Sequence, residues 1–599
     1  MEQLWSISTT IREAERITGF LRTASEIDGE VWNASTQSKF QILLVKNRQY
    51  LNDPENSQIY GRLNNEQCEL LRNKAIPMTY ERAEGIILAK NYEGCADMRG
   101  RQSMSPLYKL GLVYIVDGKV HITDVGHKLI NEEISFGDFM LDAMLKFQYP
   151  NPYEHGYQTW NTKPFINALR LIKRVNELCE TRNIPAKGIT KIEFGIFVLS
   201  LKNYADIDRT AKKLLDFRMK YNSFDTEVEQ EQFRCEYARE YLSGFKNPDK
   251  DTLEYADNMI RYMRLTKYIC IRGKYSHVYI DLEPRRLTEI NSILDNDNGS
   301  AILYSQDEWR SYMGTYGAYP LPFETIEKLK EILEITDQDI NAIERKLGIT
   351  ATSSHHCLTR DEYKREIEQR REYRTELQNL EIKQEYHSSV QKIDEAISAL
   401  EDIRNHNKAS LAKRFSIELE KWANVALNII NDSILIKPNA PVGDDNEPTY
   451  TAPSGVADIE CFYEDFNAIC EVTMLTSRDQ WFNEGQPVMR HLRDFEKKHD
   501  KQCYCLFVAP RLHQDTVNTF YNSVKYEYEG EKQKIIPITI SQLICILQKI
   551  KLMIRRNLSF SHTTLMKLYD TCVNMNKVTN SREWLTHIQN TIFEWTQEH

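Results

Sequence analysis

The segment Ala457-Asp458-Ile459-Glu460-Cys461-Phe462-Tyr463, Glu464-Asp465, Phe466-Asn467-Ala468-Ile469-Cys470-Glu471-Val472-Thr473 decides the fold class. Its first seven residues alternate as a strand, Glu464-Asp465 makes a turn, and the remainder forms the return strand. In such a hairpin Asp458 comes close to Glu471, and Glu471 and Thr473 point to one face because side chains alternate with a period of two. Two carboxylates converging from neighbouring strands, with the Val472 carbonyl beside them, make a hard-oxygen site suited to Mg²⁺, for which Mn²⁺ can substitute. Phosphodiester hydrolysis needs such a cation to stabilise charge on the phosphate and to lower the pKa of the attacking water.

The elements around the hairpin extend this reading. A helix bearing Glu418 and Trp422 precedes it, a helix from about Pro487 to Lys497 follows, and then come the strands Tyr504-Cys505-Leu506-Phe507-Val508-Ala509 and Ile535-Ile536-Pro537-Ile538-Thr539. This order, a helix, the strand hairpin, a helix and further strands, resembles the helix, three strands, helix, strand core of the PD-(D/E)xK nuclease fold, with Asp458 and Glu471-Val472-Thr473 at the motif positions. Two residues depart from that pattern: Ala457 stands where it has Pro, and Thr473 where the usual Lys would assist the water. By itself the spacing is a weak signal, because carboxylates on exposed strand faces are common.

Upstream, the loop Lys437-Pro438-Asn439-Ala440-Pro441-Val442-Gly443-Asp444-Asp445-Asn446-Glu447-Pro448 divides the hairpin from the preceding helix. From about Phe323 to Ala423 the chain is helical and rich in Glu, Lys, Arg and Gln. Between Asp361 and Tyr386 the apolar residues Ile367, Leu377, Leu380 and Ile382 are too sparse for a sustained seam, so a solvated spacer is expected, with a coiled-coil partner helix as the other reading. Nearer the amino terminus, Leu112-Val113-Tyr114-Ile115-Val116, Asp117-Gly118 and Lys119-Val120-His121-Ile122-Thr123 predict a tight hairpin, followed by a helix capped by Thr123. Helix, hairpin, helix is the order of a winged-helix module. Just before it, Met98-Arg99-Gly100-Arg101-Gln102-Ser103-Met104-Ser105-Pro106 gathers Arg, Gln and Ser at an expected turn. Arg and Gln can pair with base edges and Ser with phosphate; a solvated loop would carry the same residues. A similar pattern recurs from Tyr255 to Leu294, with strands at Lys267-Tyr268-Ile269-Cys270-Ile271 and His277-Val278-Tyr279-Ile280 around Arg272-Gly273-Lys274. Between the two modules, Thr190 caps an apolar helix and a second helix spans Asp206 to Arg218.

The 599 residues carry 77 Lys and Arg against 87 Asp and Glu, a net charge of −10, which excludes a uniformly basic nucleic-acid coat but permits local basic faces near Arg99, Arg101, Lys109 and Lys119. The start Met1-Glu2-Gln3-Leu4-Trp5 has no signal-peptide pattern, and no apolar stretch reaches the roughly 18 residues of a membrane span, so no membrane partner is expected. The twelve cysteines follow no framework and read as reduced thiols of a cytoplasmic protein. Cys503 with Cys505, and His355-His356-Cys357, lack the further ligands a zinc site needs.

Nearly the whole chain resembles the AlwI family of type IIS restriction endonucleases and their strand-specific nicking relatives. The resemblance is carried by Gly111-Leu112-Val113-Tyr114-Ile115-Val116 with Ile122-Thr123-Asp124-Val125-Gly126, by Lys146-Phe147-Gln148-Tyr149-Pro150, and by Tyr463-Glu464-Asp465-Phe466. Cys470 before Glu471-Val472-Thr473, Pro487-Val488-Met489-Arg490-His491, and Tyr504-Cys505-Leu506-Phe507-Val508-Ala509-Pro510 continue it in the same order. It implies a multidomain α+β chain: winged-helix-like DNA-recognition subdomains at 1–140 and 141–300, a helical linker at 301–405, and a PD-(D/E)xK-like α/β cleavage domain with a mixed central sheet at 406–599. By position, Asp458, Glu471 and the Val472 carbonyl would hold the metal, Glu418 would be a further catalytic carboxylate, and Glu484 and His491 would be polar groups at the cleft. Glu420, two residues from Glu418, points elsewhere on a helix, so a shift of register there would exchange them. With no Lys at 473, His491 can take the proton of the water, or it can be a histidine that only packs its helix on the sheet.

The activity so implied is Mg²⁺-dependent hydrolysis of double-stranded DNA a few bases to one side of a short asymmetric site, GAGTC-like or GGATC-like, leaving 5′-phosphate ends. Arg99, Arg101, Gln102, Ser103, Lys109 and Lys119 are the candidate DNA contacts. One carboxylate cluster cuts one strand, so the product is a nick unless a homodimer or a small catalytic subunit supplies a second centre. A companion DNA methyltransferase and a prokaryotic cytoplasm complete the expectation. The competing class is a DNA-binding regulator or assembly subunit whose nuclease-like domain is inactive, which the Thr at 473 suggests.

Overall fold

The computed structural model describes residues 3–8, 11, 14, 16–49, 63–72, 76–90, 95–272, 278–350, 355, 357–406, 415–430, 432–449, 451–452, 455–558, 560–576 and 578–597. In the first module β1 (Val113–Val116) and β2 (Lys119–Ile122) pair antiparallel, Val116 opposite Lys119. Asp117 and Gly118 both take positive φ, 51° and 74°, the twist that a two-residue hairpin needs. The Thr123 hydroxyl accepts from the Gly126 amide at 3.2 Å and so caps the Asp124–Ile130 helix.

The stretch Met98 to Pro106, expected as a turn, belongs instead to the Ala96–Lys109 helix. Met, Arg and Gln are good helix formers, and tertiary packing completes the case. A Cβ on Gly100 would lie 2.0 Å from the Gln37 carbonyl oxygen, so this helix meets the Ala34–Lys46 helix backbone to backbone. In the second module the sheet has three strands in the order β3 (Ile189–Thr190), β5 (Tyr279–Leu282), β4 (Ile269–Arg272). The Pro248–Arg264 helix precedes β4, while Gly273, Lys274 and His277 lie outside the described residues. β3 had no sequence signal, because two residues are too few to show a period. Thr190 ends that strand and caps the next helix through a capping box with Glu193. Apolar side chains of both modules join one core, running from Leu4 and Trp5 to Ile332, Leu333 and Ile367.

The Arg360–Ser388 helix is not the solvated spacer expected. It packs along the Ile326–Leu347 helix, with Leu377 buried against Ile340 and Ile343, and it buries Ile367 and Arg374. Sparse apolar positions suffice for one neighbour, and buried ionic contacts supply the rest. A second core is built on a mixed five-stranded sheet in the order β10-β9-β8-β7-β6. β6 (Leu435–Pro438), β7 (Ile459–Phe462) and β8 (Phe466–Val472) run antiparallel to one another; β9 (Gln502–Ala509) and β10 (Ile535–Thr539) continue in parallel. Lys437 and Pro438, expected in the loop, thus belong to β6. β8 and β9 are buried along nearly their whole length, as strands covered on both faces must be. The Phe415–Ile430 and Gln486–Glu496 helices pack against them. Among the described residues no helix is long and apolar enough to cross a membrane, and all twelve cysteines are free.

His562 ties the ends of this domain together, its Nδ1 2.7 Å from Asp432 and its Nε2 3.0 Å from Asp465 in the hairpin turn. The hydrogen bond to Asp432, helped by that to Asp465, raises the imidazole pKa above its ordinary value against the opposing effect of burial. A raised folded-state pKa means that the contact stabilises fully at low pH and is lost as pH rises through that pKa. His562→Gln should therefore lower the melting temperature by about 1–3 °C near pH 6, where Asp432 is ionised. The deficit should shrink toward pH 8.5; a deficit independent of pH in thermal melts would count against a charged His562.

Candidate active site

The register that pairs Ile459 with Cys470 sets Asp458, one residue earlier, opposite Glu471. The Val472 amide donates to Asp458 Oδ2 at 2.8 Å and orients that carboxylate. Beyond Val472 the Thr473 amide donates to the Val508 carbonyl at 3.0 Å, continuing the ladder to β9. The Thr473 hydroxyl, buried, accepts from the Leu475 amide at 3.2 Å. Thr473 therefore serves the backbone at the strand end.

The Gln486–Glu496 helix begins after a π-helical turn, Trp481–Gly485, that carries Glu484. Such one-turn π segments recur at functional sites. Two turns further on, His491 Nδ1 lies 2.8 Å from Glu471 Oε1. With Nδ1–H given to that carboxylate, Nε2 is left as the acceptor nitrogen, and it is buried with no protein partner. Burial, then the Arg490 charge, hold the imidazole below its ordinary pKa, which keeps it neutral.

On the Phe415–Ile430 helix the structure separates two neighbouring carboxylates. Glu418 accepts from Trp422 Nε1 at 3.2 Å on its own helix. Glu420 is buried, accepts from the Ala452 amide at 3.0 Å, and faces Asp458. The helix carboxylate that meets the hairpin is thus Glu420 rather than Glu418. From Leu419 onward that helix is buried on nearly every side, so its apolar period does not discriminate between the two positions.

Burial and mutual repulsion push these carboxyls up together. Glu420 rises to about 9 through burial and the Asp458 charge. Asp458 rises through burial, then Glu471 and Glu484, against the Val472 hydrogen bond. Glu471 rises through burial, then Glu484 and Glu420. A cation beside such a group would favour its ionised forms. Among the described residues no three His, Cys, Asp or Glu side chains are arranged to enclose a metal ion by themselves. The donor set fits Mg²⁺ in the manner that ion favours, one or two carboxylates and a carbonyl with water completing the shell. Beside the cluster a cavity of about 250 Å³ is lined by Tyr386, Glu420, Asn424, Glu447 and Asp458.

The proposed DNA contacts divide. Arg101, Gln102 and Lys119 are exposed, and Arg99 lies 3.3 Å from Gln102. Ser103 is buried and donates to Gln41 at 3.0 Å, and Lys109 is engaged by the Ser6 carbonyl and by Glu154, both at 2.6 Å. Both side chains are turned into the fold, the consequence of both residues standing on the Ala96–Lys109 helix: a turn would leave its side chains in solvent, whereas a packed helix buries one face.

No curated protein matches the chain. Among solved structures, the small subunit of the heterodimeric restriction endonuclease R.BspD6I is similar at 20% identity over 33% of this chain and 98% of its own, with a TM-score of 0.28. The DNA-bound BpuJ1 endonuclease binding domain is similar at 14% identity over 40% of this chain and 83% of its own, with a TM-score of 0.26. A family model, AlwI restriction endonuclease, matches residues 108–546, from the first hairpin through both carboxylate strands to the last strand of the sheet. That span is well over half of the chain, which therefore belongs to the AlwI restriction endonuclease family and with it to the DNA endonucleases.

Proposed function

We propose that the chain is a Mg²⁺-dependent type IIS endonuclease that binds a short asymmetric duplex site through its amino-terminal half and cuts a few bases to one side. The observation that carries this reading is the convergence of Glu420, Asp458, Glu471 and Glu484 at one end of the mixed sheet, with His491 held against Glu471. Asp458, Glu471 and the Val472 carbonyl would hold the metal, which when bound lowers the pKa of water and neutralises charge on the phosphate. Glu471 fixes the His491 tautomer, so that Nε2 accepts the proton of the attacking water. The water oxygen bonds to phosphorus as the bond to the 3′ oxygen breaks, leaving 5′-phosphate and 3′-hydroxyl ends. This role for His491 answers the Thr at position 473, where the usual Lys is absent. One cluster cuts one strand, so a second chain, a homodimer partner or a small catalytic subunit, would be needed for a double-strand break. A companion methyltransferase would protect the host's copies of the site.

Incubation of the purified protein with supercoiled plasmid and Mg²⁺ should give site-specific open circles, or linear DNA where a second centre assembles. Asp458→Ala should reduce the rate by more than about 100-fold. No product across plasmids that contain every short site would leave the inactive-regulator reading in its place. On the same assay Glu420→Gln should slow cutting by about 10–100-fold, while Glu418→Gln should stay near the parent rate; equal losses would sink the choice of Glu420. Arg101→Ala should either relax site choice or lower the slope of log affinity against log salt by about 1. Unchanged specificity and slope would remove Arg101 from the interface.

A further inference from the structure

The loop between β6 and β7 carries a buried carboxylate that the catalytic reading does not use. Asp444 accepts both the Nε and the Nη2 of Arg286, the latter at 3.2 Å, and Arg374 Nη2 lies 2.8 Å from its Oδ1. Its carbonyl accepts from Gln378 Nε2 at 3.2 Å. Arg286 ends the short turn after β5 in the second amino-terminal module, and its Nη1 donates to Glu289 at 3.0 Å. Glu289 in turn accepts from Arg371 at 2.9 Å. Three parts of the chain, the module, the Arg360–Ser388 helix and the β6–β7 loop, therefore close on one carboxylate. Asp444, Glu289 and Arg374 are all under a tenth exposed. Against the effect of burial, Arg286 and Arg374 hold Asp444 well below the usual carboxylate range.

A buried cluster of this kind is a poor source of net stability, since apolar side chains of equal volume do as well or better. What it supplies is one geometry, because bidentate Arg–carboxylate bonds fix both distance and angle. The same loop reaches the catalytic carboxylates. Asn446 donates to Asn379 at 2.9 Å, Lys421 meets Glu447 at 2.5 Å, and Ala452 donates to Glu420 beside Asp458. Asp445, Asn446 and Glu447 share the wall of the cavity with Glu420 and Asp458. Along a DNA strand successive phosphates advance by about 3.4 Å per base pair, so a wall that shifted by that amount would present a different phosphate.

We propose that Asp444 is a positioning residue: clasped by Arg286 and Arg374, it fixes the distance between the DNA-reading half and the catalytic carboxylates and so selects which phosphodiester is cut. This rests on the type IIS reading above. The test uses the full chain and a duplex containing its site, with the cut ends mapped at single-nucleotide resolution. The parent's cutting reports on the nuclease reading; the variant's spread relative to the parent reports on the clasp. Asp444→Asn should bind the site within about twofold of the parent while the fraction of cuts at neighbouring phosphates rises several-fold. Asn446→Ala, which loosens the loop from the linker helix without disturbing the buried charges, should broaden the cuts to a smaller degree. If circular dichroism shows Asp444→Asn unfolded, the decision falls to Asn446→Ala. A parent-like spread in the folded variant, or a slower rate at an unchanged position, overturns the proposal, because the loop would then only shape the pocket.

Discussion

The site depends on one constraint: an antiparallel register that sets Asp458 opposite Glu471 at the end of a hairpin whose second strand is buried on both faces. A slip of one residue would turn Glu471 away from its present face and bring an apolar neighbour in its place. The parallel pairing of β8 with β9 and the burial of both its faces oppose that slip, because every side chain on either face would have to be repacked. Core packing thus holds two carboxyls side by side, where burial and the repulsion of neighbouring carboxylates push both pKa values up.

That repulsion organises the surroundings. Glu420 enters from the helix beneath, Glu484 from a π turn, and His491 bonds to Glu471. Each element is placed by contacts remote from the chemistry: the Phe415–Ile430 helix by the second core, the His491 helix by Val488, Met489 and Leu492. A low local dielectric makes every charge in the cluster count more. Part of the acidic chain's negative charge is thus gathered at this cluster, while the exposed Arg101 and Lys119 lie on another module.

The strand hairpin and the Thr123 cap were legible in sequence because both are local. Alternation, an Asp-Gly turn and a hydroxyl before a helix act over a few residues, and each recurs in the structure where the pattern placed it. The turn expected around Arg101 is a helix for the opposite reason. Its helical state rests on a backbone contact between Gly100 and Gln37, more than sixty residues apart, which no local pattern carries. The charged helix departs from expectation likewise: Arg374 looks like a solvent-facing residue until Asp444 and its neighbours enclose it.

By itself, then, the sequence determined the presence of two carboxylate strands, their order among the other elements, and a family whose words run along most of the chain. Those properties are written in spacing and periodicity, which survive without three-dimensional context. Only the tertiary structure decided that Glu420 rather than Glu418 faces Asp458, that His491 sets its Nδ1 against Glu471, that Ser103 and Lys109 turn inward, and that one buried aspartate joins the two halves. Each of these depends on which side of an element meets a distant neighbour. The direction of a side chain on a helix buried all round is set by that neighbour and not by the residues beside it.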